Sequence, residues 1–281
     1  MRASRHRTIA IKRIPELQPF LDDMVKKVEV PEYIDKDPVC FLHAYEDKQD
    51  RLLAGFFAAI MAWGRRDIVI NKVHDLMQRM GHNPAGFIGN YSENEMDTLH
   101  GFKHRTFTAG DIHQLIIQLR NILQKYGDFE GFWKDVRQQA IEQKRELIAV
   151  FHKRFFEGLS GPERVRKHVA NSGKNSSCKR LYLYLRWTVR QNSCVDTGLM
   201  SFMPASELMI PLDVHVARQA RILGLLGRKQ NDWKAVVELT EKLRLLDPAD
   251  PAKYDYALFG IGVLKEALPE EFIVNKRGLI S

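Results

Sequence analysis

Apolar residues recur along this chain at three- and four-residue intervals far more often than in strict alternation, which predicts helices almost throughout. Leu52 to Trp63 is nearly all apolar and predicts a buried helix. Between Asp67 and Met80, the positions Ile68, Val69, Val73, Leu76, Met77 and Met80 share one face, and Gly81 stops the run. Asp111 opens another helix, with Ile112, Leu115, Ile116, Leu119, Ile122 and Leu123 on one side and Gly127 at its end. The pattern predicts a long helix over Phe132 to Phe156. Shorter ones follow over Lys179 to Arg190, Val214 to Leu225, from Asp232 onward, and over Lys253 to Ala267. Pro84, Gly101, Gly161-Pro162, Gly173, Pro211 and Pro248 punctuate the loops. Gln191 to Ile210 is weakly patterned and predicts an extended connector with one short helix. The expected fold class is all-α.

Composition narrows this only a little. At 281 residues and 44% hydrophobic content, the chain can bury one large core or two modest ones. Lys plus Arg exceed Asp plus Glu by 43 to 35, giving +8 and a pI near 9.3. That excess permits nucleic-acid binding and is equally compatible with simple solubility. Cys40, Cys178 and Cys194 have no CxxC spacing and form no even set, which argues against a disulfide framework and a zinc site and suits a reducing cytoplasm. The ten histidines have no metal-binding spacing. The basic start Met1-Arg2-Ala3-Ser4-Arg5-His6-Arg7 has no apolar region behind it, so no signal peptide is expected. No apolar run is long enough to predict a membrane span.

Two local features carry candidate chemistry. The tract Asn171-Ser172-Gly173-Lys174-Asn175-Ser176-Ser177-Cys178-Lys179 is polar and turn-forming, between the helix-like Arg164 to Ala170 and the apolar Leu181, Leu183, Leu185 and Trp187. It predicts a helix, a tight turn and a second helix whose exposed first amides could hold a phosphate. Lys179 would lie in that first turn, where the helix dipole and partial burial both favour a neutral, nucleophilic amine. A solvated lysine is the plainer reading. The second feature is Ile210-Pro211-Leu212-Asp213-Val214-His215-Val216-Ala217-Arg218, where Asp213 reads as an N-cap. A carboxylate fixed in that way can also take a proton or stabilise a sugar cation.

Other residues carry two readings each. Trp63-Gly64-Arg65-Arg66 is a duplex wedge with phosphate-gripping arginines, or a helix end with solvated ones. Lys179, Arg180, Arg186 and Arg190 form a phosphate-tracking face or a merely solvated one; the neighbouring candidate site favours the first. Trp187 and Tyr184 read as core rather than as a base-stacking platform. His215 reads as a buried structural histidine.

Pro211 to Arg218, with Leu223-Gly224-Leu225, resembles the "P-V-D-T-H-V-x-R … L-G-L" segment of helix-hairpin-helix DNA glycosylases of the endonuclease III type. Ala62-Trp63-Gly64-Arg65-Arg66-Asp67 through Asn71-Lys72 is similar to their "S-A-Q-A-T-D-x-x-x-N-K" helix junction. Ser177-Cys178-Lys179-Arg180 is similar to their hairpin-closing "G-x-K-T". The 34 residues from Lys179 to Asp213 resemble the spacing of the archaeal 8-oxoguanine glycosylases more than that of endonuclease III. The chain departs from the pattern in its hairpin, where only Gly173 matches the usual glycines and Lys174 becomes a rival to Lys179. The usual base-stack-filling glutamine aligns with Gly64. Cys178 to Trp187 and Asp250-Pro-Ala-Lys-Tyr-Asp-Tyr-Ala-Leu-Phe-Gly260 also resemble stretches of a group of bacterial proteins of unassigned function.

The resemblance implies two helical lobes around a cleft. Residues 49–190 form the central lobe with the hairpin, and 1–48 with 191–281 form the second. It implies excision of a damaged base, an oxidised one among the candidates, from double-stranded DNA with the base flipped out. Asp213 and the Schiff-base nucleophile Lys179 would be catalytic, with AP-lyase activity to follow. Trp63, Arg65, Arg66, Gly173, Lys174, Ser176, Ser177, Arg180, His215 and Arg218 would bind DNA. No metal and no iron–sulfur cluster is expected, since the cluster's cysteine loop is missing from the sequence; the hairpin leaves room for a monovalent cation. A cytoplasmic, nucleoid-associated monomer without membrane contact is expected. The alternatives are a non-catalytic DNA-binding or scaffold protein that keeps the fold, and a helical protein-interaction module.

Overall fold

Asp47 accepts a hydrogen bond from the Asp50 amide and so starts α3 (Lys48–Met61), in which every residue from Leu52 to Met61 is buried. This apolar rod is the centre of the molecule. In the computed structural model, which describes residues 5–159 and 163–275, it is surrounded by helices. α1 (Gln18–Val28) and the single-turn α2 (Cys40–His43) precede it. α4 (Arg66–Arg79), α5 (Pro84–Asn90), α6 (Ala109–Tyr126), α7 (Phe129–Glu142), α8 (Leu147–Phe155) and α9 (Lys179–Val189) follow. α10 (Val214–Ile222), α11 (Trp233–Arg244) and α12 (Tyr254–Leu264) complete the described chain. Among the described residues the fold is all-α apart from one antiparallel pair, β1 (Lys103–His104) and β2 (Phe107–Thr108), registered Lys103 to Thr108. Residues 1–4 and the Gly161-Pro162 break lie outside the described residues.

α3 touches α2, α4, α5, α7 and α9, whereas α12 packs on α1 and α10. Aromatic residues fill the centre. Phe56 meets Phe129, Phe155 and Tyr184 with ring centroids 5.2–5.7 Å apart, and Trp133 stacks on Phe151 at 4.1 Å. Tyr184 and Trp187 are fully buried there, in the core. Among the described residues no helix is long and apolar enough to cross a membrane.

The sequence pattern is overruled in two places. The single helix expected over Phe132 to Phe156 is two, broken at Lys144, whose φ of 51° is left-handed. The cause is Glu146. Its carboxylate caps α8 through the Ala149 amide, 2.9 Å away, and accepts from the Ser172 and Tyr182 hydroxyls. Three donors from three segments outweigh helix continuity. The helix-like stretch at Arg164 to Ala170 is a 3-10 helix, Glu163–His168. The connector before Ile210 has a 3-10 turn at Ala205–Glu207 and is otherwise irregular, bending at the left-handed Asn192 and Gly198, each with φ 58°.

Candidate active site

Asp213 uses its two carboxylate oxygens for two purposes. Oδ1 accepts from the Val216 amide at 2.8 Å and caps α10; Oδ2 lies 3.3 Å from Lys179 Nζ. Ile210, Pro211 and Leu212 before it are buried, which anchors the loop and fixes the cap in space. Lys179 is the first residue of α9, behind Cys178, itself left-handed with φ 51° and 1% exposed. Burial pushes the Cys178 thiol up to about 12, so it stays protonated and inert. The Lys179 side chain is 35% exposed and that of Asp213 16%, so solvent reaches the pair. At this separation no sugar fits between them, and a substrate must approach Nζ from the open side.

That open side is a cleft of about 840 Å³. One lip carries Trp63, Gly64, Arg65 and Arg66, at the end of α3 and the start of α4; the other carries Asp213, Val214 and His215. Ser177 and Lys179 line it from the hairpin, Tyr33 and Asp37 from the segment before α2, and Asp255, Phe259 and Val263 from α12. The sequence pattern singled out eight of these. It missed Asp255 and Phe259, one helical turn apart in the Asp-Tyr-Ala-Leu-Phe-Gly stretch, and it missed Tyr33 and Asp37.

Beneath the pair lies a second charged layer. Arg186, two turns after Lys179 on the same helix, donates to Asp255 and stacks on the Tyr256 ring at 4.0 Å. Arg190 pairs with Asp196, with Glu29 at 2.9 Å and with Asp250 at 2.8 Å. The expected phosphate-tracking face is therefore corrected: Arg186 and Arg190 are 2% and 3% exposed and face inward. Arg180 is corrected as well, because its guanidinium donates to the Ile60 carbonyl near the end of α3 and is not presented to the cleft. Burial pushes the Asp255 carboxyl up to about 7, against the pull of Arg186 and of Lys179 and with a push from Asp213.

The remaining candidates scatter. Gly173 and Lys174 are exposed at the hairpin turn, outside the cleft. Ser176 is half-buried; it bridges Asp232, and its hydroxyl accepts from the Cys178 amide at 3.3 Å. Asp232 also accepts from Asn175 at 3.0 Å, tying the turn to the start of α11. Arg65 is exposed and pairs with Asp67 at 2.6 Å. His215 is exposed and not buried as expected, because Val216 and Ala217 take the inward positions of α10. Arg218 lines an adjacent hollow of about 470 Å³ together with His215. Trp63 is 51% exposed, with the Arg105 guanidinium 5.9 Å from its ring. Among the described residues no cluster of three His, Cys, Asp or Glu side chains could hold a metal ion.

Residues 37–264 match a family model described as "Protein of unknown function (DUF2400)". No curated protein and no solved structure matches the chain.

Proposed function

The chain belongs to the DUF2400 family, and we propose that it is a DNA glycosylase with an associated lyase step, built as two helical lobes around the cleft. The observation that carries this reading is the 3.3 Å contact between Lys179 Nζ and Asp213 Oδ2 inside a cleft large enough for a nucleotide. In the reaction, Asp213 takes the proton of Lys179. The freed lone pair attacks C1′ of a nucleotide turned out of the duplex, and the bond from C1′ to the base breaks with its electron pair leaving on the base. Ring opening at the C1′–O4′ bond gives a protonated imine. Loss of a C2′ proton then expels the 3′ phosphate and nicks the strand.

The cleft supplies the rest. Phe259 offers a face for the flipped base, and Asp255 a polar group at its edge. Trp63, half out of the protein at the lip, suits insertion into the gap left in the stack. Lys174 is an exposed cation available to a phosphate, and the exposed Arg65 reaches one by exchanging its surface pairing with Asp67. The test is base release from duplexes that carry single lesions. Wild-type protein should release one class of damaged base, and Lys179→Gln none; equal release by both would remove Lys179 from the chemistry.

The second reading, a DNA-binding protein without chemistry, is favoured by one feature: the hairpin carries left-handed Asn175 and Cys178 where glycines are usual. It predicts DNA binding that falls with salt but no base release.

A further inference from the structure

Arg66 reaches across the cleft and ends in a cage. Its guanidinium carbon lies 4.5 Å from the centroid of the Phe259 ring and 5.1 Å from that of Tyr33. Nη2 donates to the Tyr33 hydroxyl at 2.7 Å and lies 3.1 Å from the Asp37 carboxylate. Tyr33 in turn donates to Asp37 at 3.0 Å, and Asp37 is only 5% exposed. Two aromatic rings and a buried carboxylate thus hold a flat cation with N–H groups at its edge. Every one of these residues lines the same cleft as Lys179 and Asp213. The Arg66 side chain itself is 38% exposed. It can leave the cage without any rearrangement of the core.

Two aromatic faces backed by a carboxylate stack flat groups of any charge, and hold a cationic one more strongly through the ring quadrupoles and the carboxylate's charge. The chain's own guanidinium is flat, cationic and edged with N–H donors, and it marks what the cage prefers. We infer that the cage formed by Tyr33, Phe259 and Asp37 is a binding site for a flat cationic heterocycle, namely an N-alkylated purine of DNA, and that Arg66 occupies it until the substrate enters. Alkylation at a purine ring nitrogen leaves a fixed positive charge spread over the ring. Such a base stacks on Phe259 and Tyr33 and faces Asp37, as the guanidinium does. Arg66, displaced, is then free to meet a phosphate at the cleft mouth.

The chemistry agrees with the occupant. When the C1′ bond of an alkylated purine breaks, the electron pair neutralises the ring and the base leaves uncharged. No proton has to be delivered to it, so departure of the base needs only the proton transfer from Lys179 to Asp213; the later ring opening and loss of the C2′ proton are the same for any base. The cage itself stands on its geometry; that its occupant is a base within DNA rests on the glycosylase reading.

The test separates the two. Calorimetry at mildly acid pH compares 7-methylguanosine, cationic there, with guanosine, using the intact protein and the variants Arg66→Met and Arg66→Gln. Vacating the cage should tighten 7-methylguanosine by about tenfold over wild type and leave guanosine at least tenfold weaker. Adding Phe259→Ala to Arg66→Met should abolish that preference. Two Arg66 variants that both fold, by circular dichroism, and bind both nucleosides equally or not at all would overturn the cage. A second arm incubates wild-type protein with duplex DNA treated with dimethyl sulfate and with the same duplex oxidised. Release of 7-methylguanine or 3-methyladenine supports the proposal. Release of oxidised bases alone overturns it and leaves the glycosylase reading standing. Selective nucleoside binding without release of any base supports the cage and overturns the glycosylase reading.

Discussion

Gly64 leaves the space that the Arg105 guanidinium occupies: a Cβ at Gly64 would lie 2.2 Å from Arg105 Nη2. The same glycine has φ +109°, a conformation that other residues adopt only with strain. The two effects are separable. Arg105 is the far end of a flexible side chain and can swing away, whereas the backbone angle cannot relax without moving Trp63 and Arg65. Gly64→Ala should therefore cost about 1–2 kcal/mol of stability in urea denaturation, from backbone strain. Adding Arg105→Ala should recover little of it. Full recovery would mean that the contact with Arg105, and not the backbone, requires glycine there.

Asp213 divides its carboxylate between capping and pairing, so two substitutions separate the roles. Asn keeps an oxygen for the Val216 amide and loses the charge; Ala loses both. Asp213→Ala should be about 1 kcal/mol less stable than Asp213→Asn in thermal or urea melts. Both should have lost base release to a similar, large extent. Activity in Asp213→Asn close to wild type would reduce the residue to its capping role.

Asp196 stands between two buried arginines, accepting from Arg190 and from the Tyr256 hydroxyl at 2.8 Å, with Arg186 Nε at 3.4 Å. Its removal leaves buried guanidinium charge short of a partner. Asp196→Ala should cost about 3–5 kcal/mol, read by denaturant titration. Lys179→Gln, by contrast, breaks a partly exposed pair and should change stability by less than about 1 kcal/mol. Comparable losses from the two would contradict the division between a buried charged layer and an accessible one.

His168 gives a pH dependence with a definite sign. It is 2% exposed and stacks on Phe107 with centroids 3.8 Å apart. Burial pulls its imidazole down to about 4, although Asp111 pulls the other way. The folded protein thus keeps His168 neutral at pH values where the unfolded chain protonates it. Stability should be full above the ordinary histidine value and fall as pH drops from there towards about 4. His168→Gln should flatten that part of the curve. An unchanged slope in the variant would assign the acid sensitivity to other groups.

Much of the fold follows from local pattern, because a helix buried on one face must repeat its apolar residues with the helical period. α3 and α6 are readable in this way, and so is the end of α6 at Gly127 with φ +82°; the start of α3 at the Asp47 cap, separated from the apolar run by Lys48 to Arg51, is not. The break at Lys144 is not readable, because Glu146 is held by Ser172 and Tyr182, which are distant in sequence. The same distinction runs through the site. Asp213 and Lys179 each announce themselves locally, one as a cap and one at the head of an amphipathic helix. Arg186 and Arg190 read as solvent-facing charges, since nothing nearby reveals that Asp196, Asp250, Asp255 and Glu29 will enclose them. The Arg66 cage is built from residues 33, 37, 66 and 259 and exists only once the chain has folded.

The most direct measurement of the central claim is chemical trapping. Wild-type protein is mixed with duplexes that carry an alkylated purine, an oxidised base or an abasic site, and borohydride is added. An imine between a lysine amine and C1′ is reduced to a stable bond, so a protein–DNA adduct should appear on a denaturing gel. Peptide mapping should locate it at Lys179. Lys179→Gln should give none, and Lys174→Gln, once DNA is saturating, should still give the adduct at Lys179. An adduct that persists in Lys179→Gln, or that maps to Lys174, would contradict the assignment of the nucleophile. No adduct with any substrate, including the abasic site, would contradict the lyase chemistry itself.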